Sequence, residues 1–293
     1  MMTEAKFKKK LVAAEAGDNE AMLVVAECYR NGDGVEQNFR RSAYWLYMAG
    51  NTEITYEFPQ GLTVLEDEAL WRCKGVKHVV IPEGVTTIGK MAFTACTELE
   101  SVTFPSTLKE IKERAFADCT ELKTFVFPST VAVMDAFMFR GCTNLESIEI
   151  PSTVTSIGPG AFAYCENITE IDVPTGVTSI GYNAFDHCVK LKSINIPSTV
   201  TEIGMRAFSQ CRELTEIVFP PSVEAIWGET FVGCRSLEEV YIPASVRMLG
   251  KGLFRRCPAL RAVHISKHMS HRVRKAIQSK EELLVYDYNV EMQ

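Results

Sequence analysis

The sequence lacks three features that would assign it to a broad class at once: a long apolar run, the apolar core expected of a secretory leader and an excess of basic charge. It contains no uninterrupted stretch of about 18 apolar residues, which excludes a membrane-spanning helix. The short apolar run Leu11 to Ala14 is cut off by Glu15, so no leader core forms. With 31 basic and 37 acidic side chains, the net charge of −6 disfavours nucleic acid. We therefore expect a cytoplasmic protein that binds neither nucleic acid nor membrane. Cell-surface export by an unrecognised route is the alternative.

Motifs of catalysis, nucleotide binding and metal binding are missing as well. The sequence has no P-loop, no His-Glu-x-x-His, no Gly-x-Ser-x-Gly and no Cys-x-x-Cys pair. Residues His264, His268 and His271 lie close together, but no Asp, Glu or Cys between positions 266 and 280 completes a metal site. We predict a non-enzymatic protein with no catalytic residues, no cofactor and no metal. The alternative is an enzyme whose site lies in the helical segment or the C-terminal cap.

What the sequence does contain is a strict period of 23 residues. Nine of its 10 cysteines and nine of its 12 prolines recur at this spacing, and phenylalanine follows the same step from Phe93 to Phe254. The periodic cysteines are Cys73, Cys96, Cys119, Cys142, Cys165, Cys188, Cys211, Cys234 and Cys257. Three residue types that share one period without insertion or deletion indicate a repeat architecture.

Residues 145–165 show how one coil is built. Ile148 and Ile150 alternate with a glutamate, which is the period-2 pattern of a half-buried strand. Pro151 lacks an N–H group and ends the strand, and Gly158 permits a tight corner. A coil buries about seven apolar side chains, too few to fold alone, so the coils must stack and their strands must pair in parallel.

The cysteine ladder raises the question of disulfides. Neighbouring coils bring cysteines within about 4.8 Å, but parallel side chains oppose the torsion of about 90° that the bond requires. Because we expect no export signal, we also expect a reducing compartment. We predict that the thiols are free and buried as small apolar groups, and that Cys28 lies in a helical core.

This unit resembles the BspA-type leucine-rich repeat, whose pattern reads L-x-x-I-x-I-P-x-x-V-x-x-I-G-x-x-A-F-x-x-C. The resemblance covers about residues 54–265. Departures are local: Lys112, Asp135 and Trp227 stand where the unit prefers glycine. The resemblance implies a curved, right-handed leucine-rich-repeat solenoid of about nine coils with parallel strands. It also implies relatives that bind host proteins or other cells at the cell surface.

The first fifty residues are different, because they are rich in Ala, Glu, Lys and Met and predict helices near 4–16, 19–30 and 38–49. They resemble the Sel1-like repeat, a relative of the tetratricopeptide hairpin, which implies a bacterial adaptor module. The matching residues are Ala21, Tyr29, Gly32, Gly34, Val35, Asn38, Trp45 and Ala49. In this interpretation the aromatic cluster Tyr44, Trp45 and Tyr47 serves packing and not ligand binding.

These patterns predict three domains. Residues 1–52 form the helical repeat and cap the solenoid, 53–265 form the leucine-rich-repeat solenoid, and 266–293 form a C-terminal cap with a last strand at 283–286. A solenoid end exposes its core and an unpaired strand edge, so it needs such a cover.

Acidic and basic side chains are concentrated in different segments of the chain. Residues 97–243 hold 10 basic and 20 acidic side chains, whereas 244–280 hold 10 basic ones and no acidic one. We predict a non-catalytic scaffold or adaptor that binds another protein through the concave strand face of the solenoid. The candidate binding residues are Glu146, Glu149, Glu170, Asp172, Asn195, Glu216, Val218, Glu239 and Tyr241. A surface adhesin for host or neighbouring-cell proteins is the alternative function. The charges also allow self-association between the acidic body and the basic end, or simple solvation of a long sheet.

Overall fold

A computed structural model describes residues 2–267, 269, 273, 277 and 283–286. The chain forms two compact units, Met1–Leu122 and Lys123–Gln293. Each unit is a parallel-strand β-solenoid, and the first also contains three helices that precede its strands. The predicted fold class is confirmed. The predicted domain limits are based on composition and on the phase of the repeat. The two compact units do not test these limits, which stay a prediction.

The three helices are α1 (Glu4–Glu15), α2 (Asn19–Asn31) and α3 (Phe39–Met48). They agree with the predicted segments to within one or two residues. Each begins after a side-chain cap: the oxygens of Thr3, Asp18 and Asn38 accept backbone N–H groups of the first turn. The helices are established, whereas their assignment to the Sel1-like repeat stays a prediction.

The helices pack directly on the first coil of their unit. Phe39 of α3 meets Phe58 edge to face, with ring centroids 4.9 Å apart. The buried hydroxyl of Tyr56 donates to the backbone oxygen of Phe39 at 3.3 Å. Aromatic rings and a buried hydrogen bond thus join α3 to the coil, whereas the role of residues 1–52 as a cap of the solenoid stays a prediction.

Most coils contribute a first strand and, after the proline, a second strand of two residues. The first strands of the N-terminal unit are β1 (Ile54–Glu57), β3 (Val76–Val80) and β5 (Ser101–Thr103), and its second strands are β2 (Val64–Leu65), β4 (Thr87–Ile88) and β6 (Glu110–Ile111). They form two three-stranded parallel sheets. The second strands were not predicted from the sequence, because two residues are too few to show a periodicity.

The C-terminal unit repeats this arrangement. Its first strands are β7 (Thr124–Val126), β9 (Ser147–Glu149), β11 (Glu170–Asp172), β13 (Ser193–Asn195), β15 (Glu216–Val218), β17 (Glu239–Ile242), β19 (Ala262–Ile265) and β20 (Leu284–Tyr286). Its second strands are β8 (Val133–Met134), β10 (Ser156–Ile157), β12 (Ser179–Ile180), β14 (Glu202–Ile203), β16 (Ala225–Ile226) and β18 (Met248–Leu249). Within it, paired strands from β7 to β19 are offset by 23 residues, as in Asp172 opposite Asn195. The predicted last strand is confirmed as β20, which pairs with β19.

The corner that follows the second strand is hydrogen bonded, and it uses left-handed backbone. Gly160 and Tyr164 have φ of 58° and 64°, and the equivalent positions of other coils are also left-handed. The N–H groups of Gly160, Phe162 and Tyr164 donate to the next coil at 2.8 Å. Gly158 was predicted to ease the turn, but its role is close approach: a Cβ there would lie 2.6 Å from the backbone oxygen of Met134.

Among the buried side chains of the interior, the phenylalanines and the cysteines each form a regular file. From Phe139 to Phe254, successive rings of the C-terminal unit stack nearly parallel, with centroids 5.4 to 5.8 Å apart. All ten cysteines are free and buried. The thiols also donate hydrogen bonds, as Cys188 does to the backbone oxygen of Phe162 at 3.2 Å. The predicted apolar packing of cysteine is confirmed, and the structure adds a donor role that joins adjacent coils.

Candidate interaction surface

The nine candidate residues all lie on the first-strand side of the C-terminal unit. Glu146 precedes β9, and the others lie on β9, β11, β13, β15 and β17. Their side chains point outward because residues alternate along a strand. Seven of the nine are exposed, whereas Glu239 and Tyr241 are half-buried. The structure thus brings these residues together on one side of the unit, although their role in binding stays untested.

Five of the carboxylates form what we call the carboxylate patch: Glu146, Glu149, Glu170, Asp172 and Glu216. Among the residues that the structure describes, none of the five has an ion pair or a side-chain hydrogen bond. Like charges on one strand face repel each other and lower stability. The patch is therefore poorly explained by folding alone, and it presents acceptors to solvent.

A cavity of about 410 Å³ opens beside the patch, between the coils of β13 and β15. Asn195, Glu216 and Val218, which are three of the candidate residues, line this cavity together with Phe219 and Pro220. Polar and apolar groups thus meet in one depression, an arrangement typical of sites that recognise a side chain or a small ligand.

The other end of the surface is occupied by an internal network. The hydroxyl of Tyr241 donates to Glu239 at 2.6 Å, and its ring stacks on His264 with centroids 4.0 Å apart. Arg261 pairs with Glu239 at 2.8 Å. The hydrogen bond from Tyr241, together with the charge of Arg261, holds the pKa of the Glu239 carboxyl below its ordinary value. Sequence reasoning did not separate this network from the carboxylate patch, because Glu239 and Tyr241 lie 20 or more residues before Arg261 and His264 in the sequence.

The predicted basic end is only partly described. Arg261 also pairs with Glu238 at 3.1 Å, and Arg255 pairs with Glu229 at 3.4 Å, so some of its charge is neutralised within the same unit. The remaining described members are Arg247, Lys251, Arg256 and Lys267. The other predicted members lie outside the described residues: Arg272, Arg274, Lys275 and Lys280, with His268 and His271 of the predicted cap.

Within the described part of the chain, no group of three or more His, Cys, Asp or Glu side chains converges as a metal site would require. No described helix combines the length and the apolar character needed to cross a bilayer.

The repeat matches a known family. The model of the BspA type leucine rich repeat region matches residues 47–169 and 155–283. The chain belongs to this family. Members of leucine-rich repeat families are generally protein-interaction or adhesin-like scaffolds and are typically not enzymes. A search of curated proteins finds no match.

Solved structures show the same architecture. A leucine-rich repeat protein from Bacteroides ovatus has 25% identity and a TM-score of 0.59, with 72% of this chain and 61% of that one covered. For the T. pallidum leucine-rich repeat protein, the identity is 30% and the TM-score 0.52, over 56% of this chain and 78% of that one. The pneumococcal vaccine antigen PcpA shares the fold at 21% identity and a TM-score of 0.54, over 78% and 71%. This chain thus spans less than two thirds of the length of the first of them.

Proposed function

We propose that this protein is a non-catalytic scaffold that binds another protein through the first-strand surface of its C-terminal unit. The carboxylate patch is the observation that carries the proposal, because its charges have no partner among the described residues. A partner that presents Lys or Arg side chains would complement it. The cavity beside the patch would accept one apolar side chain of that partner.

The rigidity of the coils supports this mode of binding. The strands that carry Glu170 and Asp172 pair in register with those that carry Ser193 and Asn195, and the side chains beneath them are buried. A surface that is already ordered loses little conformational entropy on association, so many weak contacts sum to useful affinity.

We also propose a cytoplasmic location. Ten free buried cysteines fit a reducing compartment better than an oxidising one. The second candidate location is the cell surface, which would make the protein an adhesin. Fractionation of the native cells distinguishes the two: recovery of the protein on intact cells that are open to external protease would favour the adhesin.

Charge reversal tests the binding surface. The double variant Glu149→Lys and Asp172→Lys should lose most partner capture in an affinity pull-down analysed by mass spectrometry, because both charges lie on the patch. The control is Glu166→Lys, which changes an exposed carboxylate that is not a member of the patch. Circular dichroism should be the same for all three proteins, and the double variant should melt at the same temperature as the parent or slightly higher, because it relieves repulsion within the patch. Capture that is equal in the double variant and the control would exclude the patch as the binding surface.

A further inference from the structure

A second cavity lies in the N-terminal unit, and its chemistry differs from that of the carboxylate patch. Its volume is about 760 Å³, and it lies between helix α3 and the corner of the first coil. Arg40, Arg41 and Tyr44 line it from the helix, and Trp71, Arg72, Cys73 and Lys74 line it from the coil. We call it the basic cavity. Its volume falls within the range of sites that enclose a ligand or an anchoring peptide segment.

The two walls of the basic cavity are held in place by packing. The Phe39–Phe58 ring contact and the Tyr56 hydrogen bond join helix and coil close by. Gly75 extends the contact, since a Cβ at that position would lie 2.8 Å from the ring of Tyr47. The cavity therefore exists before any ligand arrives, which favours binding.

The charge of the basic cavity is strongly one-sided. Four of its lining residues are cations, and Arg40 meets one carboxylate, that of Glu68, at 3.4 Å. Within the described part of the chain, Arg72 and Lys74 have no ion pair. Cations gathered around one depression raise the local concentration of anions and select an anionic ligand.

The cavity also has an aromatic and apolar surface. The guanidinium of Arg40 lies 4.8 Å from the ring centroid of Trp71, and that of Arg72 lies 5.3 Å from it. Tyr44 is 53% exposed and Met48 is 45% exposed at the same opening. A guanidinium stacked on an aromatic ring keeps its N–H edge available for a carboxylate, whereas a nucleic-acid base would have to displace it. The exposed Tyr and Met supply contacts for an apolar side chain.

We propose that the basic cavity binds an acidic peptide segment of a partner protein, with carboxylates on Arg72 and Lys74 and one apolar side chain against Tyr44 and Met48. The aromatic residues of α3 were interpreted from sequence as packing residues. Tyr44 and Tyr47 instead line an open cavity. Together with the carboxylate patch, this gives the chain two binding sites of opposite charge preference, as an adaptor needs. The basic cavity and the carboxylate patch have no residue in common.

The test uses the full chain and a defined probe. The probe is a blocked, fluorescein-labelled peptide with a central leucine between two glutamates on each side, followed by fluorescence anisotropy. Two comparison peptides replace the glutamates with lysines, or the leucine with glycine. The double variant Arg72→Glu and Lys74→Glu removes the two unpaired cations. Lys109→Glu is the control, since Lys109 is an exposed lysine of the same unit outside the cavity.

We expect saturable binding of the glutamate peptide that weakens at least ~10-fold in the double variant and stays unchanged in the control. The lysine peptide should not bind, and the glycine peptide should bind more weakly. Tyr44→Ala should weaken the leucine peptide but not the glycine peptide. Absence of binding at millimolar peptide, or equal binding by both variants, would overturn the proposal. So would stronger competition by a nucleoside triphosphate or an oligonucleotide, or a change of oligomeric state in the double variant, which would assign the cavity to a second copy of the chain.

Discussion

Alkaline pH should unfold the C-terminal unit through its cysteine file. Burial raises the pKa values of Cys165, Cys188, Cys211 and Cys234 well above the ordinary thiol value of 9.0. In the unfolded chain these thiols ionise near pH 9, whereas in the folded unit they stay protonated. The folded form therefore binds more protons above pH 9. Stability is complete below that value and is lost as the pH rises toward the folded pKa values.

The size of the loss follows from the unfolded state alone. At one pH unit above its ordinary pKa, each unfolded thiol gains about 1.4 kcal/mol from ionisation, and four thiols together gain about 6 kcal/mol. This is a large part of the free energy of unfolding of a typical domain. We therefore expect a steep fall in stability between pH 9 and 10, steeper than for a protein with one buried cysteine.

Urea denaturation followed by circular dichroism at pH 7.5, 9 and 10, with a reductant present, measures this loss. The matched variant is Cys188→Ser, because serine keeps a donor for the oxygen of Phe162 but does not titrate in this range. Between pH 9 and 10, the variant should lose about 1 kcal/mol less stability than the parent, because ionisation of one unfolded thiol is worth about 0.4 kcal/mol at pH 9 and about 1.4 kcal/mol at pH 10. Identical slopes would mean that the Cys188 thiol ionises as readily when folded, which would refute its burial between coils.

Two further predictions concern stability. Phe162→Ala should cost about 3–5 kcal/mol of unfolding free energy, and Phe254→Ala should cost less. Phe162 stacks on rings on both sides, whereas Phe254 is 7% exposed; equal losses in urea denaturation would contradict the stacked file. Ala95→Gly should stabilise by up to about 1 kcal/mol, because Ala95 has φ of 57°. Ala117→Gly changes a buried position without positive φ and should destabilise the protein. A higher melting temperature for Ala117→Gly would contradict our interpretation of the corner.

The interior of this protein could be predicted from its sequence because each coil solves the same packing problem. Phe162 and Cys165 recur at 23 residues, and such a repeat is stable only if equal side chains meet in adjacent coils. The first strands were predicted from the alternation around Ile148 and Ile150. The helices followed from composition and from the break at Gly32, which ends α2 in the left-handed conformation with φ of 75°.

The left-handed backbone conformation of the corner could not be predicted, because this constraint acts on the main chain and not on the side chains. Arg114, Asn183 and His187 all have φ between 55° and 61°, yet they share no chemistry that a pattern would reveal. Their side chains are outside the core, so selection for packing does not fix their identity. Because the fold accepts many residue types at these left-handed positions, no sequence pattern identifies them.

The pairing of surface charges could not be predicted from the sequence either. Glu216 and Glu239 are opposite each other in register on β15 and β17. Both are glutamates at the same position of the repeat, so the sequence pattern does not distinguish them. Glu239 nevertheless meets Tyr241, Arg261 and His264, whereas Glu216 meets no partner among the described residues. The partner of a long side chain depends on which groups of the next coil lie within hydrogen-bond distance, and the sequence does not contain that distance.

A solenoid separates the residues that define its fold from those that define its partners. Interior residues repeat because side chains of adjacent coils must pack against each other. These residues therefore identify the family but carry no information on ligands. Outward positions are free to differ, and specificity must therefore reside where one coil departs from the others. Trp71 is such a departure: the equivalent residue of the next two coils is Thr94 and then Ala117. It is also the aromatic centre of the basic cavity, which is why the exceptions to a repeat, more than the repeat itself, indicate where a partner binds.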